Sequence, residues 1–472
     1  MTPAVHPQPI AAPSDGVRDE FRALLRLAGP LVAANLLQMA VYAMDVVFVA
    51  RLGSLALAAS TLGVFLYSMF VWSLIGLTGA CAPIIAAEIG RKRHAVREVR
   101  RSFRMAMWLA VIACIPFVAI LAHGETVLLL AGQDPQVAQA TGRFLDILLF
   151  ALVPGVLAGV MRTAAAALGR PGWAMLVTGL ALVVGVTFNW LLVFGNLGFP
   201  ALGLEGSALA SLITTIAMVI AFAAILAFDR RLRRYRLFGR WWRPEWSRLV
   251  GILKLGIPIA LIFTFEGALF GGAAFLMGLI GVSQVAAHGV ALNIAAVAFQ
   301  VPFGVAQAAT IRVGMAYGAR DPAWIGRAGN VALVVGIGFM GITALAIWIA
   351  PRAFVGLYLD THDPANAVVV ALALKFLVIA TAFQLLYGAQ SVAAGVLRGL
   401  QDTRVPMIVA LVGYWGVGFG TAVLFAFRLG WGGVGVWLGL AAGLFAVSAL
   451  LLWRWRARNR LGLVPGVAQV GG

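Results

Sequence analysis

The chain has 472 residues, 62% of them apolar and only 11% charged, with a mean hydropathy of +0.98. Soluble domains carry about 25% charged residues, so this composition excludes a globular protein dressed for water. The net charge of +18 would suit a nucleic-acid binder, but the placement of the basic residues excludes that role.

Apolar runs of roughly 20 residues, each able to cross about 30 Å of hydrocarbon, recur along the whole chain. Backbone groups in lipid must be satisfied internally, by helices or by a closed barrel. Stretches such as ALVVGVTFNWLLVFG (181–195) do not alternate with period two, so the spans are helices.

The segment before Arg18 is polar and rich in proline, with no apolar region of its own. The first apolar run is too long for a cleaved signal and reads as an uncleaved span. Helices are predicted near 27–50, 54–88, 103–122, 138–161, 172–195 and 205–228. Six more follow near 254–278, 283–317, 328–350, 366–396, 405–427 and 433–453. Of the 35 Lys and Arg residues, all but Arg51, Arg143, Arg352, Lys375 and Arg428 then fall in the two tails and in alternate loops. This is the positive-inside pattern, and it predicts that both termini are cytoplasmic. Cys81 and Cys114 lie inside apolar spans, which argues against a disulfide framework and against a metal site.

An internal repeat organises the chain. A shift of 228 residues lays Pro30 on Pro258, Gly53 on Gly281 and Gly90 on Gly318; a shift of 232 then lays Phe144 on Phe376, Met175 on Met407 and Gly203 on Gly435. The expected fold is an all-α integral membrane protein of about twelve transmembrane helices, in two six-helix lobes related by a direct repeat. Its parts are a cytoplasmic tail (1–26), an N-lobe (27–228), a basic and aromatic cytoplasmic linker (229–253), a C-lobe (254–453) and a C-terminal tail (454–472). Repeats with an even number of helices place the pseudo-two-fold axis along the membrane normal, with a binding cavity expected between the lobes. The linker reads mainly as a loop obeying the charge rule, with aromatics of the interface belt that can also grip anionic lipid headgroups.

Ionisable groups inside a membrane are costly and therefore functional candidates. In the first helix Asn35, Gln38, Tyr42 and Asp45 are spaced 3, 4 and 3, which sets them on one stripe. Glu266 lies near mid-depth of the seventh helix and corresponds to Gln38 at the repeat offset. A proton, a metal ion and a cationic substrate can compete to neutralise a carboxylate at such a depth. Asn293, Gln300 and Gln307 share a face of the eighth helix, and Gln384, Tyr387, Gln390 and Ser391 line a face of the tenth. They are candidates for cavity lining or for helix–helix hydrogen bonds. Asn189 is a similar case in the fifth helix, and His288 is expected to pack structurally. No P-loop, metal-ligand cluster or nucleophile elbow occurs. The chain is not expected to be an enzyme or to need a cofactor, and the energy for transport must come from an ion gradient.

Four segments resemble the multidrug and toxic compound extrusion (MATE) family, particularly its NorM-like branch. They are GPLVAANLLQMAVYAMDVVFVARLG in the first helix, LGIPIALIFTFEGALF in the seventh, AAHGVALNIAAVAFQVPFGVAQAATIRVGMAYGARD across the eighth and AAGVLRGLQDTRVPM after the tenth. The resemblance implies a bacterial inner-membrane exporter, monomeric, that exchanges small organic cations for H⁺ or Na⁺. It also implies that Asp45 and Glu266 are the acids of the coupling site, with Na⁺ possible at either and Asn189 beside them. The tenth helix carries Tyr387 where NorM-like relatives usually carry Asp, which favours either H⁺ as the coupling ion or Asp45 as the main coupling group; alternatively Tyr387 can stack on a planar cation. An alternative is a flippase or exporter of an amphipathic or lipid-linked anion. That role would need basic residues in the cavity, whereas Arg162, Arg312 and Arg398 are placed near cytoplasmic helix ends.

Overall fold

Twelve helices long and apolar enough to cross a membrane run through the computed structural model, which describes residues 16–91, 95–239 and 241–465. The proline-rich leader and the last residues of the C-terminal tail lie outside the described residues. The helices are α1 (Val17–Ala50), α2 (Ser54–Gly90, with a turn at Ala80), α3 (Ala95–Leu121), α4 (Pro135–Ala167), α5 (Gly172–Phe194) and α6 (Gly203–Phe228). The second six are α7 (Trp246–Ile280), α8 (Val282–Ala319), α9 (Pro322–Ile349), α10 (Ala367–Gly399), α11 (Arg404–Arg428) and α12 (Gly432–Arg456). Each coincides with a predicted span.

The ends differ more than the number. α1 begins at Val17 rather than near 27, α3 at Ala95 rather than near 103, and α7 at Trp246 rather than near 254. Hydropathy stops where charge begins, but the helices do not. Asp19 and Glu20 occupy the first turn of α1, where carboxylates suit the positive end of the helix dipole.

Contacts divide the chain into two compact units, one of Ala33–Ala260 and one of the chain up to Val32 together with Leu261 onward. The two divisions fall two residues past Pro30 in α1 and two past Pro258 in α7. A helix-interior proline removes one backbone hydrogen bond and crowds the preceding turn, so both helices change surroundings at a weakened point. Ion pairs seat the N-terminal ends of these helices, buried in α1 and partly exposed in α7. Glu20 of α1 holds Arg312 of α8 through Nε at 2.8 Å and Nη2 at 2.6 Å. Arg248 of α7 donates to Glu88 of α2 and to Ser102 of α3, each at 2.6 Å, and also pairs with Glu98. The described residues of the linker make further contacts. Phe238 packs edge-on against Phe103, and Glu245 pairs with Arg101 and Arg104.

A polar corner closes the end of α6. Asp229 caps that helix, accepting from Arg170 at 2.8 Å, the Trp173 indole at 3.0 Å and the backbone N–H groups of Arg231 and Leu232. Burial pushes the Asp229 carboxyl up, but these donors outweigh it and hold the group below the usual carboxylate range. A lowered acid stabilises the fold at neutral pH, and that contribution is lost as pH falls through the depressed value. Asp229→Ala is expected to remove this acid-dependent part, read as a smaller loss of melting temperature between neutral and acidic pH than in the wild type.

Small residues set the closest helix contacts, as is common where lipid rather than water is the solvent. Gly435, Gly439 and Gly443 recur every fourth residue of α12. A Cβ on them would lie 2.6, 2.3 and 2.7 Å from backbone atoms of Ala426, Ala422 and Gly418 in α11. α11 itself is π-helical over Val412–Phe419 and Leu424–Arg428. Gly439→Val should therefore force the two helices apart, lowering the melting temperature of the detergent-solubilised protein at a cost of about 1–3 kcal/mol or more.

Candidate functional site

In each unit one acid is held by neutral hydrogen-bond donors within a membrane-spanning helix. In the unit Ala33–Ala260 the acid is Asp45, in the last turns of α1. The Asn189 amide of α5 donates to Asp45 Oδ1 at 2.9 Å, and the Ser211 hydroxyl of α6 donates to Oδ2 at 3.3 Å. The same amide nitrogen reaches the Gly185 carbonyl at 2.9 Å, and Asn189 is fully buried. Three helices thus converge on one carboxylate, and both side-chain donors to it are neutral. One turn back along α1, Tyr42 is hydrogen-bonded to Gln38 and lies in the field of Arg162 from α4. Asn35 completes the stripe as a buried amide whose nitrogen is unpartnered.

In the other unit the acid is Glu266 of α7, 9% exposed and hydrogen-bonded to the phenol of Tyr387 from α10. Tyr387 stacks on Phe299 of α8 with ring centroids 3.8 Å apart and planes within 10°. Phe270 meets it edge-on at 5.7 Å. One face of the tyrosine is therefore taken by a protein ring. Arg398 of α10 interacts electrostatically with Glu266, and its guanidinium sits over the Phe263 ring at 5.5 Å. Tyr414, fully buried in the π-helical stretch of α11, lies in the field of Glu266 with its hydroxyl unpartnered. π-helical turns recur at functional sites because they displace one side chain from the regular helical face.

The remaining candidates divide. Gln384 is fully buried, and its oxygen accepts from Thr343 of α9 at 3.2 Å, a bond between helices. Gln390 and Ser391 are buried as well. Asn293 and Gln300 instead donate to carbonyls of their own helix, at Gly289 (2.8 Å) and Ala296 (3.3 Å), so neither joins an acid. Gln307 is half-buried on the same helix. His288 is buried edge-on against Trp437. Both cysteines are buried free thiols. Among the described residues, no three His, Cys, Asp or Glu side chains gather as a metal site.

Ser211, Tyr414 and the two arginines were missed as site residues. A serine in an apolar helix gives no signal of its own. The arginines did leave one: AGVMR at 158–162 and AGVLR at 394–398 each put an arginine near the C-terminal end of its helix, α4 or α10.

Twelve apolar helices in two units, each holding a hydrogen-bonded acid, define a polytopic membrane protein. The MatE family model matches residues 30–191 and 258–424, opening at Pro30 and Pro258, and the chain belongs to that family of transporters. It is 47% identical over 450 residues to a probable multidrug resistance protein NorM of Mesorhizobium japonicum, covering 95% of this chain and 96% of the relative. It is 39% identical over 435 residues to the multidrug resistance protein NorM of Burkholderia vietnamiensis, covering 92% and 93%. Among solved structures, the eukaryotic MATE transporter AtDTX14 shares the fold with TM-score 0.83 at 22% identity, over 95% of this chain and 100% of that one. The Vibrio cholerae MATE transporter VcmN, as its D35N mutant, shares it with TM-score 0.85 at 16% identity, over 94% and 98%.

Proposed function

We propose that the chain exports small organic cations across the bacterial inner membrane, by antiport against an inward ion gradient and by alternating access. The observation that carries this reading is the pair of caged carboxylates. Each is surrounded by neutral hydrogen-bond donors rather than by a contacting cation, so each can exchange a small positive ion for a positively charged cargo. Neutralising the acid removes its attraction for the cargo, and a difference in affinity between states is what shifts a conformational equilibrium.

The donor set favours the proton as coupling ion. Na⁺ is a hard ion that needs several oxygen ligands, as the cations of oxygen-lined sites do. Asp45 meets an amide nitrogen and a hydroxyl, and Glu266 meets one phenol. In this reading both termini face the cytoplasm, membrane lipid is the lateral partner, the protein works as a monomer and no bound cofactor takes part. The relatives' names as multidrug resistance proteins support a broad cargo range. The test is expression in an efflux-deficient strain. Tolerance to ethidium is expected to rise, and to vanish when the proton gradient is collapsed but not when Na⁺ is removed. Unchanged tolerance would overturn the export reading, and loss on Na⁺ removal alone would overturn the proton.

A further inference from the structure

The segment joining α6 to α7 sorts its side chains by charge. Leu232, Tyr235 and Leu237 are buried, whereas Arg230, Arg231, Arg233, Arg234 and Arg236 are exposed. The nearby acids are already engaged. Asp229 holds Arg170 and Trp173, Glu245 holds Arg101 and Arg104, and Glu98 holds Arg101 and Arg248. Among the described residues, no ion pair reaches any of the five exposed arginines. Arg234 instead bonds the Tyr235 phenol at 2.9 Å.

More positive charge arrives from α3. Arg236 adopts φ 45° and ψ 53°, the left-handed region that side chains disfavour, and its carbonyl accepts from the Gly239 N–H at 2.9 Å. Arg100 Nη1 reaches this turn, 3.6 Å from where a Cβ on Gly239 would stand. The Arg100 Nε is buried there with no hydrogen-bond partner among the described residues. Like charges gathered at one turn repel, and an anion set among them relieves that repulsion. Exposed rings frame the cluster. Phe228 ends the span of α6, Trp246 opens that of α7, and Trp242 between them is 74% exposed. Aromatic rings at span ends suit the headgroup layer, and guanidinium forks suit phosphate.

We infer that Arg100, Arg231, Arg233, Arg236 and Trp242 form a docking surface for an anionic phospholipid of the leaflet at that end of α6 and α7. The arginines meet the headgroup charge and the rings lie along the start of the acyl chains. A soluble polyanion would engage the arginines alone, and the exposed rings are what select a lipid. The surface lies within the unit Ala33–Ala260 and does not depend on the cargo, so its failure would leave the export reading untouched.

The test titrates full-length protein in a neutral detergent with phosphatidylglycerol or phosphatidylcholine, reading the first stepwise Kd by native mass spectrometry. Wild-type protein is expected to prefer phosphatidylglycerol. The triple variant Arg231→Gln, Arg233→Gln, Arg236→Gln should weaken that lipid about tenfold or more and leave phosphatidylcholine within about twofold. The control triple Arg18→Gln, Arg22→Gln, Arg26→Gln removes the same charge from exposed positions of α1 and should stay within about twofold of wild type. Trp242→Ala should weaken phosphatidylglycerol about threefold. If the linker triple does not reach the membrane, Arg236→Gln alone carries the comparison, with about a fivefold loss expected. Equal losses in both triples would reduce the effect to net charge and overturn the inference, as would a wild type without preference between the two lipids. An unchanged affinity in Trp242→Ala would overturn the choice of a lipid over a soluble anion.

Discussion

Asp45→Asn is expected to reduce ethidium export to background, a loss of about 100-fold or more, without changing the amount of protein in the membrane. The substitution is close to isosteric. An asparagine oxygen can still accept from Asn189 or Ser211, so the junction of α1, α5 and α6 should hold. What disappears is the ability to alternate between a charged and a neutral form. A group that cannot change its state has no differential affinity to offer, and without that difference no ligand can shift the balance between conformations. Glu266→Gln should cost less, about tenfold, because the Glu266 carboxylate already has a phenol bonded to it and the field of Arg398 beside it. Its charge is partly answered within the protein, so less of it is available for exchange. The measurement is ethidium accumulation in cells whose membrane fractions contain equal amounts of each variant. Wild-type export by both variants would discard the coupling assignment. Export lost by Glu266→Gln but kept by Asp45→Asn would reverse the order proposed for the two sites.

Most of the helix plan was legible because hydropathy and the positive-inside rule act locally, whereas the ends of α1 and α7 were hidden because their stability is not local. Residues 17–26 read as a charged tail. They are helical because Glu20, Leu24 and Leu27 are all buried and because the partner of Glu20 lies nearly three hundred positions away in α8. The site followed the same division. Asp45, Asn189 and Glu266 stood out as polar groups in apolar spans, and the structure joins the first two directly. The seven-residue spacing of Asn293 and Gln300 did put them on one side of α8, but spacing says nothing about where an amide finds its partner. In an apolar setting the carbonyl one turn back is always within reach, and a side chain that takes it withdraws from its neighbours. Tyr414 was invisible for a different reason. It faces Glu266 through a π-helical stretch, and GYWGVGF has no periodic signature that would announce one.

Arg312→Ala is expected to be the most destabilising single change outside the transport site. The Glu20–Arg312 pair is 0% and 1% exposed, it is bidentate, and Trp324 adds an indole hydrogen bond to the same carboxylate at 3.0 Å. Alanine at 312 would leave the carboxylate with too few donors in a low-dielectric interior. Breaking such a pair from one side costs about 3–5 kcal/mol, a fall of roughly 10 °C in melting temperature for a unit of this size. Replacing both partners by apolar residues, as in Glu20→Leu with Arg312→Met, should recover most of that loss, because the penalty comes from the stranded charge rather than from the missing attraction. The pair also has a counterpart of opposite polarity. At the repeat offset of 228, Glu20 corresponds to Arg248, which holds Glu88 of α2 in the other unit. Arg248→Ala should therefore be costly too, though less so, because Arg248 is 20% exposed and water can reach what it abandons. The exposed pair Arg143–Glu205, 3.7 Å apart, provides the control, with a change below about 1 kcal/mol expected on its removal. Thermal unfolding of the detergent-solubilised variants, followed by size-exclusion chromatography, would rank the three. If Arg312→Ala melted no earlier than Arg143→Ala, the N-terminal end of α1 would owe its place to its apolar residues alone, and the ion pair would be incidental.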